Sequence, residues 1–166
     1  MIKKSKIATI LPYKENYTHR KALAAAIWVN DFYKFSNYRS NNYIFGNTDT
    51  KDYLTGNYIN VPLKKKKSKF SSTTNEYCDN FLKISEKYNF DIIEIHNRPQ
   101  IFLYLQKKIK SKFILYFHND PLSMKGSKTI AERLHLINNV DKIIFVSKWV
   151  QNRFFIGIDQ KLINKT

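Results

Sequence analysis

Apolar residues along this chain follow two rhythms. The first is a series of short continuous runs, each closed by polar or turn-forming residues. Lys6–Leu11, Asn42–Phe45, Tyr58–Leu63, Asp91–Ile95, Phe113–Phe117 and Lys142–Val146 are of this kind. Runs of that length bounded by turn signals predict strands covered on both faces. Between them, apolar positions recur at helical spacing. A helix is expected from about Lys21 to Phe35, where Ala22, Ala24, Ala25 and Ala26 favour helix and permit close approach to a sheet. Thr73-x-x-Glu76 has capping-box spacing, and Tyr77, Phe81, Ile84 and Tyr88 then form one stripe. Pro99 suits the first turn of a helix running to about Ile109. Thr129-x-x-Glu132 offers a second capping box for a helix through Asn138, and Ser147 caps a last helix carrying Trp149, Val150, Phe154 and Phe155. Asn119–Lys128, with Gly126, reads as a polar loop, and the lysine run Lys64–Lys67, followed by Ser68 and Lys69, as a solvated one.

Strand and helix alternate from end to end. That alternation predicts the α/β class: a Rossmann-like, doubly wound parallel sheet with helices on both faces and right-handed crossovers. In such a sheet every strand ends on one edge, and ligands bind outside that edge. The residues there are Tyr13, Lys14 and Glu15; Asn47; His96, Asn97 and Arg98; His118, Asn119 and Asp120; and Ser147 with Lys148. Two successive strands end in His-Asn, which predicts one shared crevice.

His118 is the first candidate for chemistry, because an imidazole near its ordinary pKa holds or donates a proton. The structural alternative is a ring that ties down its own loop. Arg98, just before a helix start, suits an anion, or else pairs with Asp120 or Glu94. Asp120 suits orienting His118 or accepting a sugar hydroxyl, although Asp-Pro is also an ordinary turn starter. Ser147 reads first as a helix cap, and Lys148 as a solvated lysine that can meet a phosphate.

Composition narrows the classes. The chain has 166 residues, 43% hydrophobic and 15% aromatic, enough for a packed core. Its one cysteine, Cys78, excludes an internal disulfide framework and a cysteine-based zinc site, and fits a reducing compartment. No run approaches a membrane span. The start, Met1-Ile-Lys-Lys-Ser-Lys6, leads into a first strand and not a signal peptide, so a cytoplasmic domain is expected. The net charge of +16 attracts anionic partners, although the abundance of Lys, Asn, Ile and Tyr also suits an A/T-rich coding sequence. A non-catalytic basic module binding nucleic acid is the alternative reading. No nucleic-acid-binding motif is visible, so nucleic acid is not the expected partner. A flavodoxin-like ligand domain ranks last, since Tyr13–Thr18 lacks a glycine-rich phosphate loop. There is no Walker A loop, no G-x-G-x-x-G after the first strand, no H-E-x-x-H, no carboxylate cluster of metal-site spacing and no G-x-S-x-G. Neither a metal nor a cofactor is expected.

Leu11-Pro-Tyr-Lys-Glu15, Glu94-Ile-His-Asn-Arg-Pro99, Tyr116-Phe-His-Asn-Asp-Pro121 and Ile144-Phe-Val-Ser-Lys-Trp149 occur in an order that resembles the N-terminal half of group 1 (family 4) glycosyltransferases of GT-B architecture. The resemblance spans about Lys6 to Ile158, which makes 6–158 a Rossmann-like N-terminal domain and 159–166 the tail where a C-terminal donor domain would begin. It implies two Rossmann-like domains across a cleft, with the acceptor on the N-terminal one. It also implies transfer of a sugar from a nucleotide-sugar donor, with retention and usually without metal. The acceptor would be a glycan or a lipid-linked sugar in cell-surface polysaccharide or lipopolysaccharide synthesis. By the same resemblance, His118 lies close to the transferred sugar, and Asn97 and Arg98 face the cleft. Glu15, His96, Asn97, Arg98, Asn119, Asp120, Ser147 and Lys148 are the expected substrate-binding residues. The family usually carries a glycine after the first strand, where this chain has Leu23-Ala24-Ala25. The donor half is not in the sequence, so a truncated product, a split subunit completed by a separate donor-domain chain, or a one-domain piece is expected, weak or inactive alone. A peripheral position on the anionic inner face of the plasma membrane, with Lys64–Lys67 contributing, completes the expectation.

Overall fold

A computed structural model describes residues 4–64 and 72–159. The strands are β1 (Ile7–Ile10), β2 (Asn42–Gly46), β3 (Tyr58–Asn60), β4 (Ile92–His96), β5 (Lys112–Phe117) and β6 (Lys142–Phe145). The helices are α1 (Ala24–Phe35), α2 (Thr73–Ser85), α3 (Pro99–Leu105), α4 (Ile130–Asn139) and α5 (Lys148–Phe155), with short 3-10 turns at Arg39–Asn41 and Pro121–Ser123. The strands form one six-stranded sheet in the order β3-β2-β1-β4-β5-β6, with parallel pairing. This is the predicted Rossmann-like α/β class. The chain divides into two compact units, Met1–Ile93 and Glu94–Thr166, inside what the sequence suggested was one domain. Of the expected tail only Asp159 is described, and Lys65–Lys67 of the lysine run lie outside the described residues.

In the first unit the sheet's hydrophobic runs pack against small helical residues. Ala25, Ala26 and Val29 of α1 are buried, and Ala26 and Val29 join Leu11, Tyr17, Ile44 and Tyr58 in one cluster. Alanine there brings the helix backbone close to the strands. On α2, Phe81 sets its ring edge-on to Phe45 of β2, centroids 4.9 Å apart. Burying each such ring contributes about 1.5–3 kcal/mol. Several polar groups in this core are paired. The Thr48 and Tyr58 hydroxyls are 2.6 Å apart, and the Tyr77 hydroxyl donates to Leu11 O at 3.0 Å. These bonds fix the loops that leave β1 and β2. Burial pushes the Tyr17 phenol up to about 12 and raises those of Tyr58 and Tyr77 as well, so all three stay neutral.

Some element limits depart from the sequence reading for local reasons. α1 begins at Ala24, not Lys21, because Thr18 takes the Lys21 amide on its hydroxyl and the Ala22 amide on its carbonyl, closing a turn first. α2 is capped by Ser72, whose hydroxyl accepts from Asn75 N, in place of the expected Thr73 box. The Glu76 carboxylate instead accepts from Lys64 N at 2.8 Å. α3 stops at Leu105, four residues short of the expected end. The box at Thr129 and Glu132 forms as expected, with both reciprocal bonds present.

The second unit holds an aromatic core in which Phe154 of α5 lies 5.2 Å from the rings of both Phe117 and Phe145. The loop after β5 is held from within. Arg133 of α4 is 2% exposed and donates to the carbonyls of Ser127, Lys128 and Ile156. One buried guanidinium therefore ties the loop to the end of α5. Gly126 sits at φ +91°, and a Cβ there would meet Gln100 N and Pro99 Cβ at 3.2 Å, so glycine lets the loop pass the start of α3.

Candidate functional site

Strand pleating puts alternate residues on one face. Glu94 and His96 of β4 therefore share a face, as do Tyr116 and His118 at the end of β5. All four belong to the second unit, and they stack into a polar column. The Tyr116 hydroxyl donates to Glu94 Oε1 at 3.2 Å. The His96 ring lies parallel to the Tyr116 ring, 4° apart with centroids at 4.5 Å. His96 Nδ1 then meets His118 Nε2 at 2.8 Å. His96 is 1% exposed, whereas His118 is half-buried.

Burial disfavours the charged form of both rings. It pushes His118 down to about 4, and burial, with the neighbouring His118, drives His96 well below the ordinary histidine range. Both rings are neutral near pH 7. Two neutral imidazoles at 2.8 Å share one N–H, so one donates and the other accepts. Their tautomers are thereby complementary, and the hydrogen on His118 is set by the one on His96.

Asn97 fixes the second coordinate of His118. It sits at φ +53°, in the left-handed region that asparagine tolerates better than most residues. Its amide donates to Tyr116 O at 2.9 Å, and its Oδ1 accepts from His118 N at 2.7 Å and Asn119 N at 3.2 Å. A single side chain thus substitutes for the next rung of the ladder and stops β5 at the histidine.

The structure brings His96, Asn97 and His118 together, as the paired His-Asn strand ends suggested, but it divides their labour. His96 is closed off from solvent, whereas part of the His118 ring stays accessible. The Asn97 carbonyl is spent on backbone amides. Asp120 orients neither histidine. Its carboxylate accepts from Leu122 N and forms a two-pronged ion pair with Arg153, Nη2 to Oδ2 at 2.8 Å and Nε to both oxygens at 3.2 Å. That guanidinium holds the Asp120 carboxyl below the usual carboxylate range. Arg98 occupies the N-cap position of α3 with no side-chain cap bond. Asn119 is exposed. Ser147 caps α5 through Val150 N at 3.2 Å, and exposed Lys148 reaches Gln151 at 3.0 Å. Glu15 lies in the first unit, half-buried, in a turn closed by its amide on Pro12 O. Among the described residues no cluster of three or more His, Cys, Asp or Glu is placed to hold a metal.

Sequence reasoning passed over Arg153 and Tyr116. A usable signal existed for Tyr116, since the i, i+2 spacing of Glu94 with His96 and of Tyr116 with His118 puts two polar pairs on one face of adjacent strands. Arg153 offered none, standing 33 positions from Asp120.

No sequence family and no curated protein matches the chain. Solved structures do match. One is a sucrose-phosphate synthase from Thermosynechococcus elongatus, at TM-score 0.65 and 11% identity, over 95% of this chain and 46% of that one. The chain therefore has the fold of a Rossmann-like α/β unit and spans about half the length of that protein.

Proposed function

We propose that the chain is the N-terminal, acceptor-side half of a GT-B glycosyltransferase of the group 1 (family 4) kind. It moves a sugar, with retention, from a nucleotide-sugar to a glycan or lipid-linked acceptor of a cell-surface polysaccharide or lipopolysaccharide. The donor half comes from a second domain or a separate chain, and the complex works at the cytoplasmic face of the membrane. Two things support the reading: the fold likeness to a sucrose-phosphate synthase, a glycosyltransferase, and the arrangement around His118. Among the described residues no helix is long and apolar enough to cross a membrane, which suits a peripheral enzyme.

The single observation that carries the proposal is an imidazole at the carboxyl end of β5, its ring held 2.8 Å from His96 Nδ1 and its backbone amide held by Asn97 Oδ1 at 2.7 Å. In sugar transfer the bond from the anomeric carbon to the diphosphate breaks, and the anomeric carbon takes on positive character. A cationic histidine beside it would oppose that charge, whereas a neutral one hydrogen-bonds a sugar hydroxyl without repulsion. Burial keeps His118 in that state. Pre-orientation means that little reorganisation is needed as charge develops.

The test is transfer from a panel of labelled nucleotide-sugars by the protein together with its donor half. His118→Ala is expected to lower kcat by about 10²-fold, with the circular dichroism of the folded protein retained. Full turnover in that variant, or the absence of any sugar transfer by the completed protein, would overturn the proposal.

A further inference from the structure

Helix α1 is amphipathic in an inverted sense. Its small residues Ala25, Ala26 and Val29 are buried, Trp28 and Tyr33 are half-buried against the core cluster, and Ile27, Phe32 and Phe35 face outward. Phe35 is 88% exposed, and Leu23, Ile27 and Phe32 are each about half exposed. Tyr38, just past the helix, extends the patch. Trp28 and Phe32 stack with their planes 4° apart at 5.3 Å, forming one slab. With Phe35 and Tyr38 they line a groove of about 450 Å³. A contiguous outward aromatic surface of this kind marks a site of interaction, unlike single exposed leucines.

The rim indicates what covers it. Lys34 lies on the helix, and Arg39 opens the following 3-10 turn. Lys4 Nζ donates to the carbonyl of Asn37, which also lines the groove. All three cations are exposed. Against them stands one carboxylate, Asp31, 3.9 Å from Lys34 and already partly offset by it. The whole chain carries +16. Aromatic rings with a polar edge, flanked by lysine and arginine, suit the boundary between acyl chains and anionic headgroups.

We propose that the outward face of α1 docks on an anionic lipid bilayer. Phe32, Phe35 and Ile27 enter the acyl boundary, the accessible edge of Trp28 lies beside them in the groove, and Lys4, Lys34 and Arg39 lie at headgroup level. The surface belongs wholly to the first unit, and the proposal stands independently of any role for His118.

The chain has two tryptophans, Trp28 and Trp149, so Trp149→Phe leaves Trp28 as the reporter. That variant is mixed with vesicles of phosphatidylcholine alone, or with about one third phosphatidylglycerol. Binding to the anionic vesicles, a blue shift of Trp28 emission and its quenching by brominated acyl chains are expected. Phe35→Asp with Phe32→Ser is expected to weaken binding at least about tenfold, and Lys34→Glu with Arg39→Glu by a similar factor, all at exposed positions. No binding, or binding that leaves Trp28 emission unchanged, would overturn the proposal. So would a protein that self-associates in solution through this face, shown by dimers that Phe35→Asp converts to monomers without vesicle binding.

Discussion

Replacing Asn97 by alanine removes one side chain and three effects. Two backbone amides, those of His118 and Asn119, lose their acceptor. At about 1 kcal/mol net for each bond, that is about 2 kcal/mol. The residue must also hold φ +53°, which alanine does less readily than asparagine, at about 1 kcal/mol more. The total is about 3 kcal/mol, a large fraction of the stability of a chain this size. Asn97→Asp retains the acceptor and the tolerance of left-handed backbone, and pays only for placing a carboxylate at a mostly buried position. It should cost about 1 kcal/mol. Urea unfolding of wild type and both variants, compared at their midpoints, measures the difference. Amide hydrogen exchange localises it: the His118 and Asn119 amides lose protection in the alanine variant and keep it in the aspartate one. In the completed enzyme, alanine here should lower kcat about tenfold, because a His118 backbone free to shift misplaces the ring. An alanine variant within about 0.5 kcal/mol of wild type, with unchanged exchange at residues 118 and 119, would refute the clamp.

Stability should also fall on mild acidification. Burial holds His118 at about 4 and drives His96 well below the ordinary histidine range, so below the unfolded value near 6.5 the unfolded chain binds protons that the folded chain refuses. Stability is therefore full above about pH 6.5 and declines toward pH 4; for His118 the loss is about 3 kcal/mol at full burial and about 2 kcal/mol for a half-open ring. Denaturation midpoints of wild type and His118→Gln across pH 7 to 4 should converge as the pH falls, whereas parallel profiles would show that the ring titrates normally. Arg133→Met should cost about 3 kcal/mol by stripping donors from the carbonyls of Ser127, Lys128 and Ile156, and should raise proteolysis in the loop after β5. A loss under about 1 kcal/mol would mean that water replaces the guanidinium without penalty.

The order of strands and helices was readable along the chain because each depends on neighbours within a few positions. Pro99 at the head of α3, the Thr129–Glu132 box and the Ser147 cap are local hydrogen-bonding or φ preferences, and all three formed where their residue types implied. The pairing of His96 with His118 was half readable. Two similar strand ends in successive units pointed to one place, and pleat parity puts both rings on one face. Burial was not readable, since whether a histidine at a strand end is covered depends on what packs over it. The same limit hid the partner of Asp120. Nothing within four residues of an aspartate announces an arginine 33 positions on, and the ion pair exists only because α5 returns beside the loop after β5. Arg133 reads as a surface residue by type, yet the fold closes over it and supplies three carbonyls as compensation. α1 shows the converse. Its alanines pointed to a close approach to the sheet, but periodicity could not say which of its large apolar residues stay exposed. Close packing put Ala25, Ala26 and Val29 inside, tucked Trp28 and Tyr33 against the edge of the core, and left Phe32 and Phe35 outside. Local chemistry thus wrote the elements, and long-range contact decided which of their polar groups remain available to a ligand.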